Sequence, residues 1–320
     1  MAFDAFVVLS IGGAALLGWI AVKLARWLWL YVWLPHRLSG TRLVERYGSG
    51  GWALITGASD GLGKAFALEL ARLGFNLILV SRTQSKLDRL RDDLQGLGIQ
   101  VRTVAADLSD TAPHTYESLA AAARDVDLSV LVNCVGATVH RRYGDVPVDT
   151  LRQLLAVNVS TTAIVTHTLL PLLLRHATST GRRAALLNVG SIVGRFYWPG
   201  TQLYGACKAF VDHLSIPLSF EYRHQLDVLS FQPTVMATAM AMATGAEPAV
   251  ITIPPQRAAH AALSQLGHTQ ASHGHWRHGL LAALLAVLPS RVRNALFLKG
   301  ALAMGEVELA KCESGHVTHA

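Results

Sequence analysis

The chain has 320 residues, 51% of them hydrophobic and only 15% charged, with a mean hydropathy of +0.34. Soluble domains carry about 25% charged residues. The composition therefore describes either a membrane protein or a soluble domain with an apolar appendage, and it excludes disorder, which pairs low hydrophobicity with high net charge. The net charge of +7 is concentrated, because five bases (Lys23, Arg26, Arg37, Arg42, Arg46) stand against one acid, Glu45, between residues 23 and 46. Positive charge beside an apolar run belongs to a membrane surface, so no nucleic-acid partner is expected.

From the N-terminus, residues 5–22 carry no charge, and the apolar pattern resumes in Trp27–Leu34 (WLWLYVWL). An uncharged run of about 18 residues can span hydrocarbon. A cleaved signal peptide would begin with bases, whereas this chain begins MAFDAF. A soluble amphipathic helix would need a polar face, and residues 5–22 have none. Trp27, Trp29, Tyr31 and Trp33 suit the interfacial belt, and the bases that follow predict a cytoplasmic location for the rest of the chain. The expected organisation is a membrane anchor with a basic juxtamembrane segment (1–47), one folded domain (48–305) and a tail (306–320). The three cysteines, Cys134, Cys207 and Cys312, are far apart with no CxxC pairing. That excludes a disulfide framework and a structural zinc site, and fits a reducing compartment.

Gly48-Ser49-Gly50-Gly51 reads as a short linker. Beyond it, strand-like runs at Trp52–Thr56, Asn76–Ser81, Val101–Ala106, Leu128–Asn133, Ala184–Val189 and Asp227–Phe231 alternate with helical periodicities. Lys64–Leu73 is one predicted helix; Lys86–Leu97, with Leu87, Leu90, Leu94 and Leu97 at spacings of three and four, is another. Such alternation predicts an α/β fold, a doubly wound parallel sheet in three αβα layers, preceded by the N-terminal transmembrane helix.

The first strand runs into Thr56-Gly57-Ala58-Ser59-Asp60-Gly61-Leu62-Gly63 and then a helix. Glycines in that context let the backbone approach a pyrophosphate at the positive end of the helix, a Rossmann-type arrangement. A Walker A loop would need Gly at 58 and Ser or Thr at 65; both positions are Ala. At the end of the second strand an NAD enzyme would place an acid on the ribose hydroxyl. Ser81 and Arg82 stand there, with Lys86 four residues on, which favours a 2′-phosphate and hence NADP(H); the other reading has Arg82 capping a solvated turn. Further on, Tyr204 and Lys208 are spaced to share a helix face. The ammonium can draw the phenol pKa down from about 10, making Tyr204 a general acid for a carbonyl oxygen. Ser191 ends the fifth strand, at the carboxyl edge where α/β folds bind ligands.

Together the Thr56–Gly63 turn, Asp107-Leu108, Asn133-Cys134-Val135-Gly136, Asn158, Ser191, Tyr204 with Lys208, and Pro233 with Thr238 resemble the short-chain dehydrogenase/reductase family over about residues 50 to 305. The closer likeness is to its membrane-bound very-long-chain 3-oxoacyl-CoA reductases and 17-beta-hydroxysteroid dehydrogenases. It is carried by Asp60–Lys64, Leu79–Arg82, the valine of NCVG, Met236-Ala237-Thr238, and His278 with Leu288-Pro289-Ser290.

The resemblance implies that Tyr204 protonates the substrate carbonyl, Ser191 orients it, Lys208 lowers the phenol pKa and holds the nicotinamide ribose, and Asn158 holds a relay water. Gly57, Gly61 and Gly63, with Ser59, Asp60 and Leu62 of the same turn, would line the pyrophosphate. Arg82 and Lys86 would meet the 2′-phosphate, Asp107 and Leu108 the adenine, Asn133 the adenine ribose and central strand, and Pro233 and Thr238 the nicotinamide side. The implied reaction is NADPH-dependent reduction of an apolar ketone. The substrate is a long-chain 3-oxoacyl-CoA in fatty-acid elongation at the endoplasmic reticulum membrane, or alternatively a 17-ketosteroid. Membrane lipid and a second copy of the chain are the expected partners. A non-catalytic scaffold would be expected to lose Tyr204 or Lys208, and both are kept.

Two departures stand out: Cys134 replaces the second Asn of the family's NNAG, which would loosen that turn, and Thr234 replaces the usual Gly after Pro233. His268, His273, His275 and His278 lack an accompanying carboxylate or Cys, so no metal is expected, and they read as a loop near the membrane or the substrate mouth. Asn158-Val159-Ser160 matches a glycosylation sequon on a predicted catalytic helix and is read as spurious. Leu280–Leu288 is too short to span, and is either a core helix or one on the bilayer surface.

Overall fold

Strand residues 52–56, Trp-Ala-Leu-Ile-Thr, are buried on both faces, as a central parallel strand requires. This strand, β1 (Trp52–Thr56), centres a computed structural model that describes residues 2–37, 41–238 and 250–298. Around it lie β2 (Asn76–Ser81), β3 (Val101–Ala105), β4 (Leu128–Asn133), β5 (Ala184–Val189), β6 (Leu226–Phe231) and a two-residue β7 (Ala271–Ser272). All neighbours are parallel, in the order β3-β2-β1-β4-β5-β6-β7. The order reverses at β1, the switch point beside which doubly wound sheets bind ligands.

The two-residue period of the strands divides the core in two. Ala53, Ile55, Leu77 and Leu79 face one side and pack with α4 (Gly61–Arg72) and a late helix, Pro255–Gln265. Leu54, Ile78, Val80 and Leu131 face the other and meet a long helix, Thr161–Thr180, through Val165, Leu169 and Leu173. That helix forms part of an apolar helical stretch, residues 148–180, long enough to cross a membrane. Its buried stripe makes it a core element here.

In chain order the helices are α1 (Ala2–Leu28), α2 (Leu34–Arg37), α3 (Thr41–Tyr47), α4, α5 (Gln84–Asp93), α6 (Pro113–Ala123), α7 (Val148–Leu155), α8 (Thr161–Thr180), α9 (Gln202–Glu221), α10 (Pro255–Gln265) and α11 (Trp276–Val287). The helix expected at Lys64 begins three residues earlier, where the Asp60 carboxylate accepts from the Gly61 amide at 2.7 Å and caps it. The helix expected to reach Leu97 ends at Asp93, because Gly96 and Gly98 take φ of +89° and +71°. β3 ends one residue short of the expected Ala106, and β6 begins one residue before Asp227.

The apolar N-terminus is a continuous helix whose residues 10–33 are long and apolar enough to span a bilayer. It passes through a π-helical turn, Trp29–Trp33, that touches the folded domain. There Leu30 and Leu34 are buried, the Leu30 carbonyl accepts from Gln265 Nε2 at 2.9 Å, and the Pro35 carbonyl lies 3.2 Å from His260 Nε2.

The juxtamembrane segment is more structured than its charge indicated. Tyr47 on α3 is fully buried, and Asp227 accepts from the Tyr47 hydroxyl (3.0 Å), Arg46 Nη2 (3.0 Å) and Arg183 Nε (2.8 Å). Arg46, expected at a lipid surface, instead ties α3 to β6. Of the glycines after it, Gly51 is tightly packed, since a Cβ there would fall 2.6 Å from Ser129 Oγ. The tail, including Cys312, lies outside the described residues.

Candidate active site

The carboxyl ends of β1, β4 and β5 converge on one cleft. β1 delivers the glycine turn, with Gly57 at φ +67°. A Cβ at Gly63 would fall 2.0 Å from the Gly57 carbonyl oxygen, so no other residue can start α4 this close to β1. This brings the positive N-terminus of α4 up to the end of β1, as a diphosphate site requires. Leu62 anchors the same turn in the core. Thr238 closes over it from the loop after β6, its methyl 3.3 Å from where a Gly61 Cβ would stand.

β4 delivers Asn133 and Cys134. The Asn133 amide donates to Asn188 Oδ1 (2.8 Å) and Thr166 Oγ1 (2.9 Å), and Asn188 continues to Ser215 (2.9 Å), a buried ladder linking β4, β5, α8 and α9. Asn133 thus braces the central strands; its side-chain donors are engaged within the protein. Cys134 is held in its turn through its main chain. Its amide donates to Thr56 Oγ1 at 3.0 Å, and burial pushes its thiol up to about 12, which leaves it unreactive.

At the end of β2, Ser81 donates to Ser59 at 2.7 Å and ties that strand to the glycine turn. Arg82 is exposed beside them. Lys86 lies 3.8 Å from Asp60. Burial alone would raise Asp107, but two hydrogen bonds from Ser109 and the Arg82 charge together hold its carboxyl below the ordinary value. Arg82 and Asp107 are therefore near enough for the guanidinium to act on the carboxyl. Leu108 is buried, its carbonyl accepting from Tyr116 and Thr161.

β5 and α9 carry Ser191, Tyr204 and Lys208 to the same edge of the sheet. Ser191 begins the short turn after β5, with its hydroxyl 3.4 Å from the Val193 amide and 3.5 Å from the Pro233 carbonyl. Tyr204 and Lys208 share a face of α9, with Nζ 5.7 Å from the phenol ring centre. Burial pushes the Tyr204 phenol up to about 12, against a hydrogen bond with Ser191. The sequence leads to the expectation of a phenol depressed by the neighbouring lysine; burial is the largest influence on it and raises it instead. Tyr204 is therefore protonated at neutral pH, as a proton donor must be.

Lys208 is buried, its ammonium donates to the Val189 carbonyl at 2.8 Å, and desolvation lowers its pKa to about 8. Asn158 sits in a π-helical turn, Ala156–Ser160, a distortion common at functional sites. Its side chain is fully buried, donating to Ala137 O (2.9 Å) and Leu154 O (3.0 Å), and is inaccessible as a glycosylation site. A Cβ at Gly136 would meet Asn158 Oδ1 at 3.1 Å and Lys208 Nζ at 3.3 Å, so those two groups crowd the same side of that glycine.

Sequence reasoning missed Asp212. It stands four residues after Lys208 on α9, supports the ammonium's charge, and binds Ser230; burial raises its pKa against its bonds to Ser230 and Gln232. The i, i+4 spacing that linked Tyr204 to Lys208 extends to it. Thr234 is also bound unexpectedly, its amide donating to His278 Nδ1 at 3.4 Å. The other histidines are structural as well. His273 bonds the Gln232 carbonyl (2.9 Å), His278 the Ile251 carbonyl (3.0 Å), and His275 caps α11, while burial lowers His273 and His278 to about 4. Among the described residues no cluster of His, Cys, Asp or Glu is arranged to hold a metal.

A glycine cradle at the head of α4, followed by a Ser–Tyr–Lys group at the ends of β5 and α9, defines a nicotinamide-dependent oxidoreductase. The chain belongs to the short chain dehydrogenase family, whose pattern it matches over residues 51–249. It is 32% identical to a very-long-chain 3-oxoacyl-CoA reductase of Caenorhabditis elegans, over 86% of this chain and 87% of that protein. A second Caenorhabditis elegans chain, provisionally named a steroid dehydrogenase, is 28% identical over 83% and 84% of the two chains. A short-chain dehydrogenase from Sphingobium yanoikuyae, solved in complex with NADPH, superposes with a TM-score of 0.59 at 28% identity, covering 67% of this chain and 84% of that one. The fold binds a nicotinamide cofactor, and the cradle between Gly57 and Gly63 fits its diphosphate.

Proposed function

We propose that this chain is an NADPH-dependent reductase of long-chain 3-oxoacyl-CoA, held at the endoplasmic reticulum membrane by residues 1–47, with domain 48–305 on the cytoplasmic side. The observation that carries the reading is a complete Ser191–Tyr204–Lys208 group behind an apolar span, on a chain matching a very-long-chain 3-oxoacyl-CoA reductase over nearly its full length. Arg82, exposed after β2 and near Asp107, supports the 2′-phosphate and hence NADPH over NADH.

The residues divide the work as follows. Gly57, Gly61 and Gly63, with the amides of the turn that Ser59, Asp60 and Leu62 shape, receive the diphosphate. Arg82, with Lys86 behind it, meets the 2′-phosphate. Asp107 and the Leu108 backbone bound the adenine pocket, Asn133 stiffens its floor, and Pro233 and Thr238 wall the nicotinamide side. The bound cofactor supplies hydride to the carbonyl carbon. Ser191 donates a hydrogen bond to the carbonyl oxygen, and Tyr204 transfers its phenolic proton there as charge develops. Lys208, protonated at neutral pH and beside Asn158 on one side of Gly136, stabilises the resulting phenolate and leads to the relay that reprotonates it.

The test is NADPH oxidation by detergent-solubilised protein, offered a long-chain 3-oxoacyl-CoA or a 17-ketosteroid. Turnover of the acyl-CoA supports the reading. Turnover of the steroid alone keeps the mechanism and moves the substrate to the second class, which the steroid dehydrogenase relative favours.

A further inference from the structure

Helix α11 has two unlike faces. His278, Gly279, Ala282 and Leu285 are buried, while Trp276, Leu280, Leu284 and Val287 are exposed, the last two at 58% and 84%. With 3.6 residues per turn these sets lie on opposite sides, so the exposed side is an apolar stripe rather than scattered residues. It continues onto the helical residues 290–298, where Val292 and Leu296 are exposed at 49% and 62%. Residues 276–298 contain Arg277, Arg291 and Arg293 and no acid. An apolar stripe edged only by positive charge is what a helix lying in a bilayer interface presents.

The place of α11 in the fold supplies the second observation. Tyr31, at the end of the N-terminal span, packs against α11 so closely that a Cβ at Gly279 would lie 2.9 Å from its ring. Its hydroxyl accepts from the His273 amide at 3.3 Å, and Trp29 meets His268 edge-on at 5.4 Å. Tyr31 lies three residues beyond Leu28, about 4.5 Å along a helix, so a bilayer holding the span comes level with the start of α11. Leu28, Trp29, Val32 and Trp33 expose a further apolar surface at the same junction. On its inner side α11 packs Ala282 and Leu285 against Ile192 and Phe196, in the segment that directly follows Ser191.

We propose that α11 and residues 290–298 form a second membrane contact. Their exposed stripe rests among the lipid acyl chains, and the wall of the active site after Ser191 lies against the bilayer, from which a long-chain substrate enters. The inference rests on the membrane-anchored reading of residues 1–47 given above.

Full-length protein is placed in nanodiscs of phosphatidylcholine and phosphatidylserine, with Cys312→Ser as the labelling blank. Single cysteines at Leu284, Val287, Leu17 in the span and Leu97 before β3 carry an environment-sensitive fluorophore. The labels at 284, 287 and 17 are expected to be quenched about threefold more by brominated lipid than by aqueous iodide, and the label at 97 the reverse. Quenching by iodide at 284 and 287, with 17 still in lipid, overturns the second contact and leaves the anchor standing. Protection from both quenchers means that protein covers the stripe, a second copy being one candidate, and also overturns it. A label at 17 that faces water removes the anchor and this inference together. In the same discs Leu284→Glu should lower kcat/KM for a long-chain 3-oxoacyl-CoA about fivefold and leave a water-soluble short-chain one unchanged. Equal losses, or none, contradict entry from the bilayer.

Discussion

The cofactor half and the substrate half of the cleft are built on different principles. Around β1, β2 and α4 the site is backbone geometry, with a carbonyl where one Cβ would be and an amide capped by Asp60. Beyond β5 the site is side-chain packing between distant parts of the chain: Ile192 and Phe196 lie on Ala282 and Leu285, and Trp198 stacks on Phe297 at 3.6 Å. Backbone geometry either admits a residue or does not, whereas packing tolerates exchange of one apolar side chain for another at graded cost. On the proposed reading, the first half holds one cofactor rigidly while the second adapts to its substrate.

The sharpest way to break this contrast is Gly63→Ala. One methyl group should weaken NADPH affinity at least about 100-fold and lower stability by about 3 kcal/mol, because backbone must move to admit it. Cofactor fluorescence titration and a thermal melt read both, and a near-native result would show that the turn adapts after all. Next in size, Arg82→Asp should weaken NADPH binding about 10- to 100-fold and NADH binding far less, by loss of a charge-assisted contact. Equal losses would remove Arg82 from the 2′-phosphate role.

A smaller effect is expected with pH. Lys208 titrates at about 8 and Tyr204 at about 12, so only the lysine changes state between pH 7 and 10. Loss of its proton removes the charge that stabilises the phenolate, so kcat for reduction should be flat below about pH 8 and fall above it. Lys208→Met should abolish that limb along with most of the activity. The smallest change sharpens the other side of the comparison. Leu285→Ala should cost about 2–3 kcal/mol of stability at most and raise KM for long acyl chains a few-fold, with NADPH affinity unchanged. A changed cofactor affinity would couple the two halves.

The same division governs what the sequence makes legible. The glycine turn can be read from spacing alone because steric necessity dictates its residues locally. Tyr204 and Lys208 are legible because one helix turn separates them, and the six longer strands because they are short β-branched or Leu-rich runs between helical periodicities. Long-range contacts leave no such local trace. Arg46 reads as a lipid-facing base until Asp227, 181 residues away, is seen to accept from it. His273 and His278 read as a loose polar cluster, although they are buried neutral groups holding the loop after β6. β7 has two residues and no period to detect. The direction of the Tyr204 phenol is not legible either, because burial, which no i, i+4 spacing reveals, is the largest influence on it.

The most direct test of the reductase reading follows the transferred atoms. Wild-type protein and Tyr204→Phe are each given NADPH deuterated at the transferable nicotinamide position and a long-chain 3-oxoacyl-CoA, and the product is analysed by mass spectrometry. The account predicts 3-hydroxyacyl-CoA carrying one deuterium at C3, formed about 10²- to 10⁴-fold more slowly by Tyr204→Phe, while the variant still binds NADPH. Product formed at the wild-type rate without the Tyr204 hydroxyl, or no deuterated product from either protein, would contradict it.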